Sequence, residues 1–268
     1  MNFCFWPSEG EEESPLQYHH IAGALKQLAL TDFYVEGKKT YRFSSQNLAA
    51  IDDSFFENEL NPLLPVRIPA ATERCRLLRE LGEGLLLFYE GSATKMLEAA
   101  NSSADALTGI ISSAFPGFRD SVVDRFGRQC FFYKRAQIAV ADLWAALKKS
   151  GHTSHPCDFS DIDCITTFAD YRVPQLLRDM NVLVYSTTLS KIIDEKREIS
   201  SGSQEEIEIR AATIVAVERI VQEVNSRKEE GSKDVNAIFI DWLLWQRGEK
   251  LEAAGKLSPH HRVRTIFY

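Results

Sequence analysis

Nothing in this chain approaches the roughly 18 consecutive apolar residues that a bilayer span needs, and the start lacks a basic segment followed by an apolar one. Neither a membrane span nor an export signal is expected, and the reading is a soluble, intracellular (cytoplasmic) protein. Cysteine is sparse and odd in number. Cys4, Cys75, Cys130, Cys157 and Cys164 are scattered without a C-x-x-C pair, which argues against a disulfide framework and for reduced, mostly structural thiols. There is no sustained Lys/Arg stripe, and the formal net charge is −7. Binding to a phosphate backbone depends on clustered cations that release counterions, so no stable nucleic-acid binding is expected. A glycine-rich phosphate loop, a serine nucleophile elbow and an internal repeat are also missing. His152-Thr-Ser-His155 and Cys157 crowd three potential ligands into one loop without a fourth, so no metal and no cofactor are expected.

What is present suffices for a core: 268 residues, 44% of them hydrophobic and 10% aromatic. Helical periodicity marks Pro15 to Leu30, Ala70 to Tyr89, Ser103 to Phe115, Tyr133 to Lys149 (closed by Gly151), Glu205 to Asn225 and Asn236 to Arg247. Two short extended pairs interrupt them. One joins Tyr34-Val35 to Tyr41 and Phe43, and the other runs from Val122 to Phe132 around Gly127. Glu9 to Glu13 reads as a solvated acidic loop. Ser160 and Asp163 have capping-box spacing ahead of a helix at Ile165 to Phe168, and Pro174 suits the first turn of the next. Asp170 then falls in the turn between two helices. The fold class is mainly α, a single helical domain with one or two short β-hairpins.

Two runs mix charge with large apolar side chains, as a pocket for a polar ring compound requires: Phe132-Tyr-Lys-Arg-Ala-Gln-Ile138 and Phe168-Ala-Asp-Tyr-Arg-Val-Pro-Gln175. Together with Asn2-Phe-Cys-Phe-Trp6, Gln204-Glu-Glu-Ile-Glu-Ile-Arg210 and the ending His261-Arg-Val-Arg-Thr-Ile-Phe-Tyr268, in the same order, they give a chain that resembles the queuosine salvage family. The resemblance is firm from about Pro69 and poorer over residues 1–68, so 69–268 is read as the helical catalytic core of one domain spanning 1–268. It implies a fold similar to helix-hairpin-helix DNA glycosylases and hydrolysis of queuosine 5′-monophosphate to queuine and ribose 5-phosphate; separately, a monomer is expected. Family members carry a further helical stretch ahead of the Asn-Phe-x-Phe-Trp segment with which this chain opens. Weak substrate binding, or a non-catalytic queuine binder, are the readings that follow. A nucleic-acid base glycosylase is a third reading, by fold analogy alone.

Such a reaction passes through a ribosyl oxocarbenium ion, which a fixed negative charge near C1′ stabilises. By itself Asp170 reads as a helix cap; the resemblance makes it the catalytic carboxylate, with Tyr171 and Gln175 placed to stack on or hydrogen-bond the base. Lys134 opens its helix, where backbone N–H groups could join it in holding an anion. It is assigned to the substrate phosphate or sugar, with Arg135 as a second candidate. Asp241 and Trp245 lie four apart on one helical face and could meet the secondary amine of queuosine, the other reading being a core Trp beside a solvated Asp. Phe3 and Phe5 would share one side of an extended segment, and the resemblance brings Phe5 to the base. Asp142, in an apolar stretch, is read as a structural ion pair with Arg172 or Arg210.

Overall fold

The computed structural model describes residues 3–6, 16–149 and 155–268. The acidic loop at Glu9 to Glu13, Gly151 and His152 lie outside the described residues.

In chain order, α1 (Tyr18–Leu30) leads to a small antiparallel pair, β1 (Phe33–Val35) and β2 (Lys38–Thr40). Then come α2 (Ser45–Ala49), α3 (Asp53–Phe55) running into a π-helical turn, and the long α4 (Ala71–Tyr89). After α5 (Ala93–Ala99) and α6 (Ala104–Ala114), a second pair, β3 (Ser121–Val123) and β4 (Gln129–Phe131), delivers the chain to α7 (Lys134–Lys149). The remaining helices are α8 (Arg172–Asp179), α9 (Thr187–Asp194), α10 (Gln204–Ser226) and α11 (Ala237–Ala253). The protein is therefore mainly helical, with two small hairpins. Ser44, Ser92, Ser103, Ser186, Ser203 and Asn236 each accept a backbone N–H at the start of a helix, which satisfies donors the first turn leaves unpaired.

Burial of the apolar helix faces joins these pieces. Leu85, Leu107, Ile111, Val140, Trp144, Phe168 and Ile238 form one cluster linking α4, α6, α7 and α11. Val173, Leu177, Val217 and Leu244 link α8, α10 and α11, and Ile21, Leu28, Phe56 and Cys75 seat α1 against the α3–α4 region. The α2–α4 contact is backbone to backbone: a Cβ at Gly82 would lie 2.3 Å from the Ala49 nitrogen and 2.6 Å from the Ser45 oxygen. Only glycine permits that approach. The five cysteines are free thiols. Among the described residues, no helix is long and apolar enough to cross a membrane.

Some expectations need correction. The first hairpin ends at Thr40, so Tyr41 and Phe43 lie outside it. Ile165 to Phe168 is not helical. Of the predicted capping-box pair, Asp163 falls in a 3-10 turn (Ile162–Cys164) and accepts instead from the Asn236 amide at 2.9 Å, while the Thr166 N–H is held by the Gln137 side chain. Long-range polar partners thus outcompete a short local helix. The last helix runs on to Ala253, past the expected Arg247.

Candidate active site

Three segments converge because one buried ion pair ties them. Arg210, on α10, donates to both carboxylate oxygens of Asp120 at 2.8 and 2.5 Å, and through Nε to the Ala169 carbonyl at 3.1 Å. Asp120 in turn accepts the Lys134 N–H through Oδ2 at 3.0 Å, and its carbonyl accepts the Phe132 and Tyr133 N–H groups. The start of α7 and the residue before Asp170 are thereby clamped to the same guanidinium. The clamp also holds Tyr133 in a left-handed backbone conformation, φ 47°, which costs a non-glycine residue about 1–2 kcal/mol. From there Lys134 turns inward, and only 2% of its surface is exposed.

The cavity it faces has a volume of about 180 Å³, and Phe5, Tyr18, Lys134, Asp142, Phe168, Asp170, Tyr171, Asp241, Trp242, Trp245 and Glu249 are among its lining residues. Two carboxyl groups stand beside the ammonium group. Asp170 Oδ1 accepts the Arg172 and Val173 N–H groups at 2.9 and 3.2 Å at the start of α8, so Asp170 is a helix cap and a pocket residue at once. Both bonds use Oδ1, leaving Oδ2 for the cavity. Asp241 Oδ1 accepts the Thr167 hydroxyl and the Phe168 N–H at 2.9 Å, and its Oδ2 is likewise uncommitted among the described residues.

Burial and charge set these groups apart. Burial, followed by the negative charge of Asp170, pushes the Asp241 carboxyl up to about 7. Burial pulls the Lys134 ammonium below the usual lysine range, with Asp170 opposing it. The site thus combines a carboxylate fixed by backbone donors, a second carboxyl that keeps its proton near neutrality, and one ammonium group. Around them Trp245 and Tyr18 meet edge to face at 6.0 Å, and Tyr171 lies tilted on His260 at 4.5 Å.

The structure therefore brings six of the sequence candidates to one cavity: Phe5, Lys134, Asp170, Tyr171, Asp241 and Trp245. Gln175 is elsewhere. Its carbonyl accepts from Arg172 at 2.5 Å while its amide donates to Glu252 and the Ser258 carbonyl, so no group of it is left for a base. Arg135 is also structural, donating to the Ile266 carbonyl at 2.6 Å between the rings of Phe3 and Phe118. Phe3 and Phe5 do not share an extended wall, because Cys4 takes φ 45° and Phe3 packs instead under the Arg74 guanidinium, 4.1 Å away. Asp142 makes no ion pair among the described residues; Arg172 is held by Glu249 and Glu252 and Arg210 by Asp120 and Glu206, so Asp142 stays at the cavity rim. Sequence reasoning missed Tyr18, Trp242 and Glu249. The last two were within reach, since Trp242 and Glu249 continue the helical face of Asp241 and Trp245 by steps of three and four.

A family model described as "Queuosine salvage protein" matches residues 1–268. A protein of Dictyostelium discoideum named "Queuosine 5′-phosphate N-glycosylase/hydrolase" is 39% identical over 269 residues, covering 100% of this chain and 75% of its own length. Proteins of the same name from Schizosaccharomyces pombe and Mus musculus are 39% and 31% identical, each over 100% of this chain and over 80% and 79% of their own length.

Proposed function

The chain belongs to the queuosine salvage protein family, and from that premise we propose that it hydrolyses the N-glycosidic bond of queuosine 5′-phosphate, releasing queuine and ribose 5-phosphate. The observation that carries this reading is the meeting of Asp170, Lys134 and Asp241 in one aromatic-walled cavity.

The base to be expelled is a 7-deazapurine, with carbon where a purine has N7, so protonation at that nitrogen cannot help it leave. Catalysis then rests on stabilising the sugar cation and on supplying a proton elsewhere on the base. Asp170 takes the first task. Its Oδ1 is held by two backbone N–H groups at the start of α8, which fixes the side chain in place, and Oδ2 is directed to the electron-poor C1′. Asp241 takes the second. A carboxyl group that keeps its proton near pH 7 can donate it to the departing base as the C1′–N bond breaks and the electron pair passes to nitrogen. Water supplies the oxygen added to C1′, and the proton it releases restores the acid. Lys134 offers N–H donors to the ribose hydroxyls, with its charge set against that of Asp170. Phe5, Tyr171 and Trp245 supply flat surfaces against which the base packs.

Chromatography of the reaction products tests this. The wild-type chain releases free queuine from queuosine 5′-monophosphate, whereas Asp170→Asn loses at least roughly a hundredfold in rate, as expected for removal of one preorganised charge at a developing cation, while still binding the substrate. Undiminished turnover by Asp170→Asn removes that residue from the chemistry. Ligand-dependent thermal stabilisation of the wild type without product would make the chain a binder rather than a hydrolase.

A further inference from the structure

Arg74 is fully buried on α4, yet it does not line the cavity. Burial pulls its guanidinium down to about 9, which still leaves it charged at neutral pH. A charge is costly to hold in an interior, and an apolar side chain of similar length would fill the same space without that penalty. What the guanidinium supplies instead is direction. Its Nε donates to the Pro69 carbonyl at 2.7 Å, just ahead of α4, and one Nη donates to the carbonyls of Phe3 and Cys4 at 2.5 and 3.1 Å. The helix is thereby fastened to a short strap that lies 70 positions away in the chain.

The strap is held from other sides as well. The Cys4 N–H donates to the Tyr268 carbonyl at 3.3 Å, and the Cys4 thiol donates to the Val263 carbonyl at 3.8 Å. The ring of Phe3 has two guanidinium groups near it, that of Arg74 at 4.1 Å and that of Arg135 at 5.4 Å. These contacts keep Cys4 at φ 45°, a left-handed conformation that a non-glycine residue holds only where its surroundings impose it. The turn separates the two phenylalanines that flank it. Phe3 packs under Arg74, whereas Phe5 becomes a wall of the cavity together with Tyr171 and Trp245.

We propose that Arg74 is a positioning residue for this site: by fixing the Phe3 and Cys4 carbonyls it holds the left-handed turn that directs Phe5 into the cavity, and it acts on the ligand through Phe5. The proposal takes from the hydrolase reading the assignment of Phe5 to the base. A flat wall of this kind packs against the base in the bound substrate and in the transition state alike. Displacing it therefore weakens binding more than it slows the chemical step.

The test is a double-mutant cycle of Arg74→Met and Phe5→Ala, run below the melting temperature of each variant. It is read by kinetics on queuosine 5′-monophosphate and by equilibrium dialysis with queuine. Each single variant should raise KM and the queuine dissociation constant at least roughly fivefold, with a smaller change in kcat. In the Phe5→Ala background Arg74→Met should add less than about twofold, because residues acting as one unit are not additive. A guanidinium that serves stability alone would lower the melting temperature and leave KM and queuine binding at wild-type values. That result, or losses that multiply in the double variant, overturns the proposal. Cys4 gives a second route that leaves Arg74 in place, and it decides the matter if Arg74→Met does not fold. Cys4→Gly accepts φ 45° without strain and should bind queuine as the wild type does. Cys4→Pro, locked at about −65° and without its N–H, should bind as weakly as Phe5→Ala. Wild-type binding by Cys4→Pro overturns the proposal. Dialysis needs no turnover, so a wild type that binds queuine but releases none from the nucleotide loses the hydrolase reading and leaves these comparisons intact. A wild type that turns over, beside an Arg74→Met protein with unchanged KM, loses the positioning role alone.

Discussion

Asp170 and Asp241 each have one oxygen fixed by two donors, and Asp241 is the one whose carboxyl is pushed up to about 7, by burial and then by the neighbouring Asp170. A pH dependence follows. If the protonated Asp241 delivers the proton, kcat/KM declines as pH rises through about 7. Asp241→Asn, which keeps the Oδ1 acceptor for Thr167 and Phe168 but has no proton to give, should lose roughly 10²–10⁴-fold in rate and lose that alkaline limb with it. A pH–rate profile of the two proteins decides; an alkaline limb that persists unchanged in the variant assigns it to another group. Stability should move in a related way. The folded carboxyl binds its proton more tightly than the unfolded one, so wild-type stability falls as pH rises from the ordinary carboxylate range towards about 7, and denaturant titrations of Asp241→Asn should show a shallower fall. The pairing of Asp241 with Trp245 was legible from their spacing. The state of the proton was not, since it is set by burial and by Asp170, against the opposing bonds from Thr167 and Phe168, and the sequence places all three residues far from α11.

At the scale of elements, α7 and α8 bring Lys134 and Asp170 to the cavity because both are clamped by Arg210 on α10. The guanidinium meets Asp120, the Ala169 carbonyl and the rings of Phe132 and Tyr268, 4.1 and 4.5 Å away. Removing one member of a buried pair strands the other, so Arg210→Met should lower stability by about 3–5 kcal/mol, read from urea unfolding. At a temperature where the variant remains folded, it should also turn over more slowly, since the start of α7 loses its anchor. Full activity in the folded variant would show that the clamp serves stability alone. Helix α10 itself was legible: it spans Gln204–Ser226, one residue beyond the expected Glu205 to Asn225 at each end. Its partner was not, because Asp120 lies 90 positions away in a turn with no periodicity to mark it. The same limit explains the misread segment at Ile165 to Phe168, where local spacing suggested a helix and distant side chains held the chain extended.

For the molecule as a whole, the site draws on Phe5 near one end of the chain and Glu249 near the other, and the terminal segments are built into the same wall. Arg74, fully buried, donates to the Phe3 and Cys4 carbonyls, and the Cys4 N–H reaches the Tyr268 carbonyl at 3.3 Å. The mainly helical class could be read before any coordinates, and six of the seven residues named from the sequence line one cavity, because the motifs carrying them are local and charge stands out in apolar runs. Gln175 could not be judged in that way, since its competitors for hydrogen bonding, Arg172, Glu252 and Ser258, become neighbours only on folding. The arrangement of the indoles has a practical consequence. The chain has four tryptophans; Trp242 and Trp245 border the cavity, Trp6 stands behind Tyr171 with ring centroids 5.4 Å apart, and Trp144 packs in the core against Phe239. Two of the four native fluorophores therefore border the cavity, and the protein carries its own optical reporter. Titration with queuine should change the emission of the wild type and of Trp144→Phe alike, and the change should shrink in Trp245→Phe, so that occupancy can be followed in real time without a label.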